Sequence, residues 1–137
     1  MSRLHLIRRS AFLLATSLLA CSDSTAPSAS TLNGTWSRLG EVPGSSERWT
    51  LTVTGSSIAG TGTWSGEACC GGTLTVTGTI DGDAIHVDVT LVAVASFGSV
   101  RPDVHEHFDG TLAGADTLVG TGTVDNQSPF AERFARQ

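Results

Sequence analysis

The sequence predicts an all-β fold, an eight-stranded antiparallel up-and-down meander closed into a barrel. Apolar residues alternate with threonine in 49–54 and 74–77 and with polar residues in 85–91, and a period of two is typical of a strand with one buried face. Threonine favours strands and tolerates water, so it suits the outer face. Glycine-containing turn signals at 54–57, 81–83 and 113–116 separate such runs.

The turn signals divide the chain into eight predicted strands, at 33–39, 48–54, 57–65, 73–80, 84–92, 103–112, 117–124 and 130–135. The links after the first, third and fifth strands, at 40–47, 66–72 and 93–102, are long, whereas those after the second, fourth and sixth are short. Alternate links of a meander lie at the same end, so the long loops should gather at one rim. A closed barrel of eight strands is either filled by side chains or holds one small ligand. A β-sandwich is the alternative.

The first twenty residues differ from the rest. Arg3, Arg8 and Arg9 precede an uncharged, mostly apolar stretch at 11–20, which is typical of a secretory signal peptide. This stretch is shorter than the ~20 apolar residues that span a bilayer. Leu18-Leu19-Ala20-Cys21 resembles the bacterial lipobox, and the resemblance implies cleavage before Cys21 and its modification with lipid. The alternative is a soluble secreted protein with a chance cysteine at this point.

Three regions follow from this interpretation: a signal peptide at 1–20, a lipidated cysteine and flexible tether at 21–31, and a single barrel domain at 32–137. The tether is small, polar and without periodicity. Stable anchoring takes more than one acyl chain, which a triacylated cysteine supplies. By resemblance to enterobacterial sorting, Ser22 rather than aspartate after Cys21 favours the outer membrane over the inner membrane. The expected location is the bacterial cell envelope.

The charge balance limits the classes of partner. Removal of residues 1–20 takes away three of the eight arginines and no acid, so the mature chain has five basic and thirteen acidic residues, a formal charge of −8. Nucleic acid is a poor partner for such a surface. No nucleophile triad, phosphate loop or zinc-binding HExxH helix is recognisable. We therefore expect neither an enzyme nor a cofactor.

The first strand carries a family resemblance. Gly34-Thr35-Trp36 resembles the opening of the calycins, the lipocalins and avidins. Residues 34–40, 53–55 and 60–64 are most similar to avidin-type proteins. The chain departs from the avidin pattern, because Arg38 stands in place of the asparagine that binds biotin and Trp64 in place of a tyrosine. Glu41 likewise replaces a serine of that pattern, so the resemblance does not imply biotin binding.

The resemblance to lipocalins also involves a residue near the end of the chain. In that family a basic residue late in the sequence packs on the tryptophan of the first strand. Arg133 or Arg136 would do so here for Trp36, and the role would be structural.

Cys69 and Cys70 are adjacent and are followed by Gly71 and Gly72. Export places them in an oxidising compartment, and Cys21 is consumed by lipid. The sequence therefore predicts a vicinal disulfide as a rigid loop tip, whose strain would make it reducible. Free thiols or an intermolecular bridge are a second interpretation, and binding of a soft metal is a third.

Three histidines form another group. His105 and His107 share one face of a strand, and His86 lies on the neighbouring strand, where Asp88 would meet His107. Imidazoles with a carboxylate suit zinc or copper. The alternative, which the acidic composition favours, is a solvated outer face without a metal.

Glu106 lies between two residues that should point inward, Val104 and Phe108. A buried carboxylate is unfavourable without a partner. It is therefore a polar group that faces a ligand or an ion-pair partner of an arginine. The third alternative is that the predicted inward and outward faces of this strand are exchanged.

These features predict a non-enzymatic, membrane-tethered barrel that binds a small, partly apolar ligand at the long-loop rim, because ligand pockets occur in barrel mouths. The residues expected to contact the ligand are Trp36, Trp49, Trp64, Glu106 and Phe108. Two alternatives remain: a protein-interaction module, such as an inhibitor of a periplasmic hydrolase, and a structural envelope lipoprotein.

Overall fold

The computed structural model describes residues 29–40, 44–66, 70–93 and 102–137. The predicted signal peptide, the lipidation site Cys21, most of the tether, and Cys69 lie outside the described residues. Cys70 is described only as the first residue of a strand, so the predicted disulfide stays a prediction. Among the described residues, no helix is long and apolar enough to cross a membrane.

A short 3₁₀ helix at Ala29–Leu32 precedes eight antiparallel strands. Each strand pairs with the next, and the first pairs with the last, so the sheet closes into a barrel and the predicted fold is confirmed. The strands are β1 (Gly34–Arg38), β2 (Ser46–Thr54), β3 (Ser57–Gly66), β4 (Cys70–Asp81), β5 (Ala84–Ala93), β6 (Val104–Leu112), β7 (Thr117–Val124) and β8 (Phe130–Arg136).

The predicted long loop at 66–72 is wrong. β3 extends to Gly66 and β4 begins at Cys70, so the link spans only residues 67–69. The glycines that suggested a loop are paired strand residues, since Gly71 lies opposite Ser65 and Gly72 opposite Trp64. A Cβ at Gly72 would collide with the carbonyl oxygen of Val92 on β5. Glycine here permits a close approach of strands and does not end one.

The start of β2 also differs from the prediction. β2 begins at Ser46, so Glu47 belongs to the strand and not to the predicted loop 40–47. Its inward position makes it one of the three buried charged residues of the described chain, the other two being Glu106 and Glu132.

Side chains fill the interior of the barrel toward the short-turn rim. The Trp49 ring lies 3.8 Å from that of Phe134 and 5.9 Å from that of Phe108, centroid to centroid. Phe108 fits because Gly120 faces it, where a Cβ would lie 2.7 Å from the phenylalanine ring. Aliphatic side chains from β2 to β7 complete this core, among them Leu51, Leu74, Val76, Val87, Val89 and Leu118.

The 3₁₀ helix and the end of β8 cover the short-turn end around Trp36. The Trp36 indole donates to the carbonyl of Leu32 at 2.9 Å. Of the two arginines considered for this role, Arg136 is the one that packs on Trp36, with its guanidinium 4.7 Å from the ring centroid. Arg136 also donates to the carbonyl of Asn33 at 2.5 Å. Gly34 has φ +129°, a backbone conformation that side chains disfavour, and this explains the glycine of the Gly-x-Trp motif.

Candidate functional site

Four charged side chains meet inside the barrel near the long-loop rim: Arg38 of β1, Glu47 of β2, Glu106 of β6 and Glu132 of β8. We call them the charged layer. Their facing follows from the two-residue period of a strand. β2, β6 and β8 all run away from the long-loop rim, and on each of them a glutamate precedes a buried aromatic residue by two positions. The charged layer therefore lies directly above the aromatic core.

Arg38 connects the carboxyl groups. Its Nη1 donates to Glu47 Oε2 at 2.9 Å and lies 4.0 Å from Glu106 Oε2. Its Nη2 lies 2.8 Å from Glu132 Oε1, close enough for an ion pair but outside hydrogen-bond angles. The Trp49 indole donates to Glu47 Oε1 at 2.6 Å, which ties the layer to the core below. Of the three interpretations of Glu106, the ion pair with an arginine is observed, at 4.0 Å, and the inverted facing is wrong because Glu106 is buried.

Arg38 does not satisfy all of the carboxyl oxygens. Among the described residues, Glu106 Oε1 and Glu132 Oε2 are buried and have no hydrogen-bond partner. The side chains of Glu106 and Glu132 are only 2% and 0% exposed. Buried oxygens without donors are unfavourable, so this layer has unused capacity to accept hydrogen bonds.

Burial also changes the acidity of the layer. The pKa of Glu47 is raised from 4.5 to about 7, chiefly by loss of water and also by the charge of Glu106, against the opposing effects of Trp49 and Arg38. Burial likewise raises the pKa of Glu132 to about 9, again with a contribution from Glu106. Glu132 is therefore protonated at neutral pH, and its proton can be shared with the neighbouring Glu106.

A cavity of about 380 Å³ opens above the charged layer at the long-loop rim. Its walls include apolar side chains and its floor carries charge, and the lining residues include Arg38, Leu39, Glu47, Trp64, Leu91 and Glu106. Ligand pockets have volumes of roughly 300–1,000 Å³ and combine apolar walls with a few polar groups. This cavity has both properties.

The five residues predicted to contact a ligand divide into two groups. Trp64 and Glu106 line the mouth cavity. Trp36, Trp49 and Phe108 are 0% exposed and belong to the packed core below it. They face inward as predicted, but the structure places them beneath the cavity and not in its wall.

Sequence reasoning missed Arg38, Glu47 and Glu132 as site residues. A signal for them exists, because Glu-x-Trp or Glu-x-Phe occurs at 47–49, 106–108 and 132–134. Each segment lies where a strand leaves the long-loop rim, and its glutamate and aromatic residue share the inward face. Together the three segments indicate a layer of acids above a layer of aromatic rings.

The predicted histidine group lies on the outer face. His86 Nδ1 is 2.6 Å from Asp109 Oδ1, and His107 Nδ1 is 2.7 Å from Asp88 Oδ1, so the expected contact of Asp88 with His107 forms. The hydrogen bond to Asp88 is the main cause that raises the pKa of His107. His105 Nδ1 lies 3.4 Å from the hydroxyl of Thr90.

Metal-binding capacity was searched over the described part of the chain. The only set of ligand atoms within 4.8 Å of one another belongs to Glu47, Glu106 and Glu132, not to the histidines. Three carboxylates suit Ca²⁺, Mg²⁺ or Mn²⁺. The guanidinium of Arg38, however, lies against two of them and supplies a positive charge there already.

Comparison with known proteins adds no assignment. No protein-family model, curated protein or solved structure matches this chain.

Proposed function

We propose that the protein is a membrane-tethered lipoprotein of the bacterial envelope whose barrel binds a small, partly apolar ligand in its mouth. The observation that carries the proposal is the cavity above the charged layer. Leu39, Trp64 and Leu91 provide apolar contact area, and Glu106 provides a fixed polar group. A ligand that has both an apolar body and a polar end fits this lining. The proposed role is capture of the ligand and not its chemical conversion.

The position of the cavity is compatible with a tether. β1 begins and β8 ends at the short-turn rim, as the pairing of Trp36 with Arg136 requires. The mouth lies at the opposite rim. A lipid on Cys21, followed by the polar segment 22–31, would hold the short-turn rim toward the membrane and present the mouth to the compartment. The lipobox resemblance of residues 18–21 supports this anchor, and the eight-stranded meander supports the proposed likeness to calycins.

A ligand screen tests the binding proposal. The full chain, expressed in a bacterium and purified in detergent, is screened with small amphipathic compounds by thermal shift and tryptophan fluorescence. Trp64 in the cavity wall is the expected reporter. Leu91→Trp should fill the cavity and abolish binding, whereas Val92→Trp, the adjacent outward-facing position, should not. Ligands that bind the wild type and both variants equally would show that the mouth is not the site.

A separate measurement tests the anchor. Mass spectrometry of the mature protein should show an amino end at Cys21 that carries acyl chains, and Cys21→Ser should release the protein from membranes. An unmodified amino end at Ser22 or later contradicts the anchor without affecting the cavity.

One observation favours the second candidate, a protein-interaction module. Leu39 and Val92 are large apolar side chains at the mouth rim and are 46% and 42% exposed. Exposed apolar groups above a filled interior suit contact with an envelope protein, such as a periplasmic hydrolase. Val92→Asp, at a position outside the cavity lining, would then abolish capture of that protein while leaving small-ligand binding in the cavity intact.

A further inference from the structure

The charged layer has more acid than base. Three glutamates face one arginine, and the inward positions of the other described strands carry no charged residue. Arg38 contacts Glu47 and Glu132 closely, but its nearest approach to Glu106 is 4.0 Å. Glu106 is thus the carboxyl group that Arg38 compensates least.

Glu106 is also the glutamate with both an unsatisfied oxygen and a place in the cavity lining. Apart from the proton that Glu132 can share with Glu106, no donor among the described residues reaches Glu106 Oε1, and the Glu106 side chain is 2% exposed. The cavity above it has apolar walls at Leu39, Trp64 and Leu91. A ligand in this cavity would donate a hydrogen bond to the Glu106 carboxyl group while the apolar part of the ligand contacts the walls.

We propose that the ligand of the mouth is a small organic ammonium ion, whose N–H groups donate to Glu106 and whose apolar part lies against Trp64 and Leu91. This inference rests on the proposed function and specifies the class of ligand. A positive donor near buried carboxylates gains more than a neutral donor, since it adds the attraction between opposite charges, which is stronger in a buried site than in water. Glu47 and Glu106 line the cavity together with Arg38, so the acids outnumber the base there and a cation is favoured over an anion.

An ammonium ion fits better than a divalent metal. Ca²⁺ takes 6–8 oxygen ligands at roughly 2.3–2.6 Å, and the guanidinium of Arg38 lies where such an ion would bridge Glu47 and Glu132. An ammonium ion requires only hydrogen-bond acceptors and leaves Arg38 in place. The apolar walls also have no use in binding a bare metal ion.

Binding of the cation displaces protons from the layer. At neutral pH burial keeps Glu132 protonated and Glu47 partly protonated. An ammonium ion close to these groups favours their ionised forms, so a carboxyl proton leaves to solvent as the ligand enters. No covalent bond of the ligand changes. Affinity for the amine should therefore rise between pH 5 and pH 8, over a range in which the amine itself stays protonated.

Three probes of similar shape test the inference on the full chain: benzylamine, benzyl alcohol and benzoate. Titration calorimetry and tryptophan fluorescence should show benzylamine binding at least tenfold more tightly than benzyl alcohol at pH 8, with benzoate binding not detected. Calorimetry in buffers of different ionisation enthalpy should show proton release with benzylamine alone.

Glu106→Gln should remove the preference for the amine and retain binding of the alcohol. Asp103→Asn is the matched control, because Asp103 is an exposed acid near the same rim, and it should keep the preference. A thermal melt establishes that each variant is folded, and the pH dependence of the wild type is an independent readout.

The outcomes separate the two proposals. Equal binding of amine and alcohol, or an undiminished preference in Glu106→Gln, overturns the ammonium assignment and leaves the cavity as a binding site. Binding of Ca²⁺ or Mn²⁺ that Glu106→Gln abolishes, without amine binding, overturns it in favour of a metal site. Failure of all three probes and of the wider ligand screen overturns the proposed function itself.

Discussion

Replacement of Glu132 by glutamine should flatten the pH dependence of stability. Glutamine has the shape of the protonated acid and no charge. Glu132 is 0% exposed, and burial together with Glu106 raises its pKa from 4.5 to about 9. The folded state therefore retains a proton that the unfolded state loses above pH 4.5. This contribution to stability is complete below the unfolded pKa and is lost as pH rises toward the folded pKa.

The magnitude follows from proton linkage. Over the range where only the folded state holds the proton, the free energy of unfolding falls by about 1.4 kcal/mol per pH unit. Between pH 5 and pH 7, Glu132 should therefore lower the free energy of unfolding of the wild type by roughly 3 kcal/mol. Glu47 adds a loss of the same sign between 4.5 and its folded pKa of about 7.

Urea unfolding of the full chain, followed by tryptophan fluorescence at pH 5, 6, 7 and 8, measures the effect. We expect the stability advantage of Glu132→Gln over the wild type to grow steadily with pH. Asp83→Asn, at an exposed turn, is the control and should run parallel to the wild type. His107 also favours stability at low pH because its pKa is raised, but it is common to all three proteins. Parallel curves for the wild type and Glu132→Gln would falsify the assignment of a protonated, buried Glu132.

Three further predictions concern the frame of the barrel. Gly120→Ala should lower the free energy of unfolding by about 1–3 kcal/mol in urea, because its methyl group would overlap an aromatic ring of the core. Arg136→Ala should cost about 2 kcal/mol in the same assay through loss of its indole and carbonyl contacts, whereas the exposed Arg133→Ala should have little effect. Asp88→Asn should lower the pKa of His107 toward its ordinary value in an NMR titration, since their hydrogen bond is the main cause of the raised pKa; an unchanged pKa would refute that contact.

The sequence predicts the strands well because alternation records which face is buried. Seven of the eight predicted starts lie within two residues of the observed ones, and the exception is β4. There Gly71 and Gly72 lack the side chains that make a period of two visible, yet their backbones pair with Ser65 and Trp64. Pairing depends on backbone groups and on how closely neighbouring strands approach. Neither property can be read from the composition of the segment.

The site is harder to predict because it is assembled across the barrel. Glu106 alone could be placed inside, since Val104 and Phe108 define its face. Glu47 seemed to belong to a loop, and Glu132 lies among alternating residues of a short last strand. Their meeting with Arg38 depends on closure of the sheet through β1 and β8. The tryptophans suggested an apolar site, but two of the three are needed to fill the core.

The charged layer does not exist to hold the barrel together. The core below it is already packed, with Trp49, Phe108 and Phe134 in mutual contact. Buried ion pairs are often no more stabilising than apolar residues of similar volume, and here two of the carboxyl groups ionise only against a large penalty of burial. Leucine or valine at the same inward positions would simply extend the core upward. A charged layer at the floor of an open cavity is better explained by what enters the cavity, and the buried Oε1 of Glu106 identifies where a donor would bind.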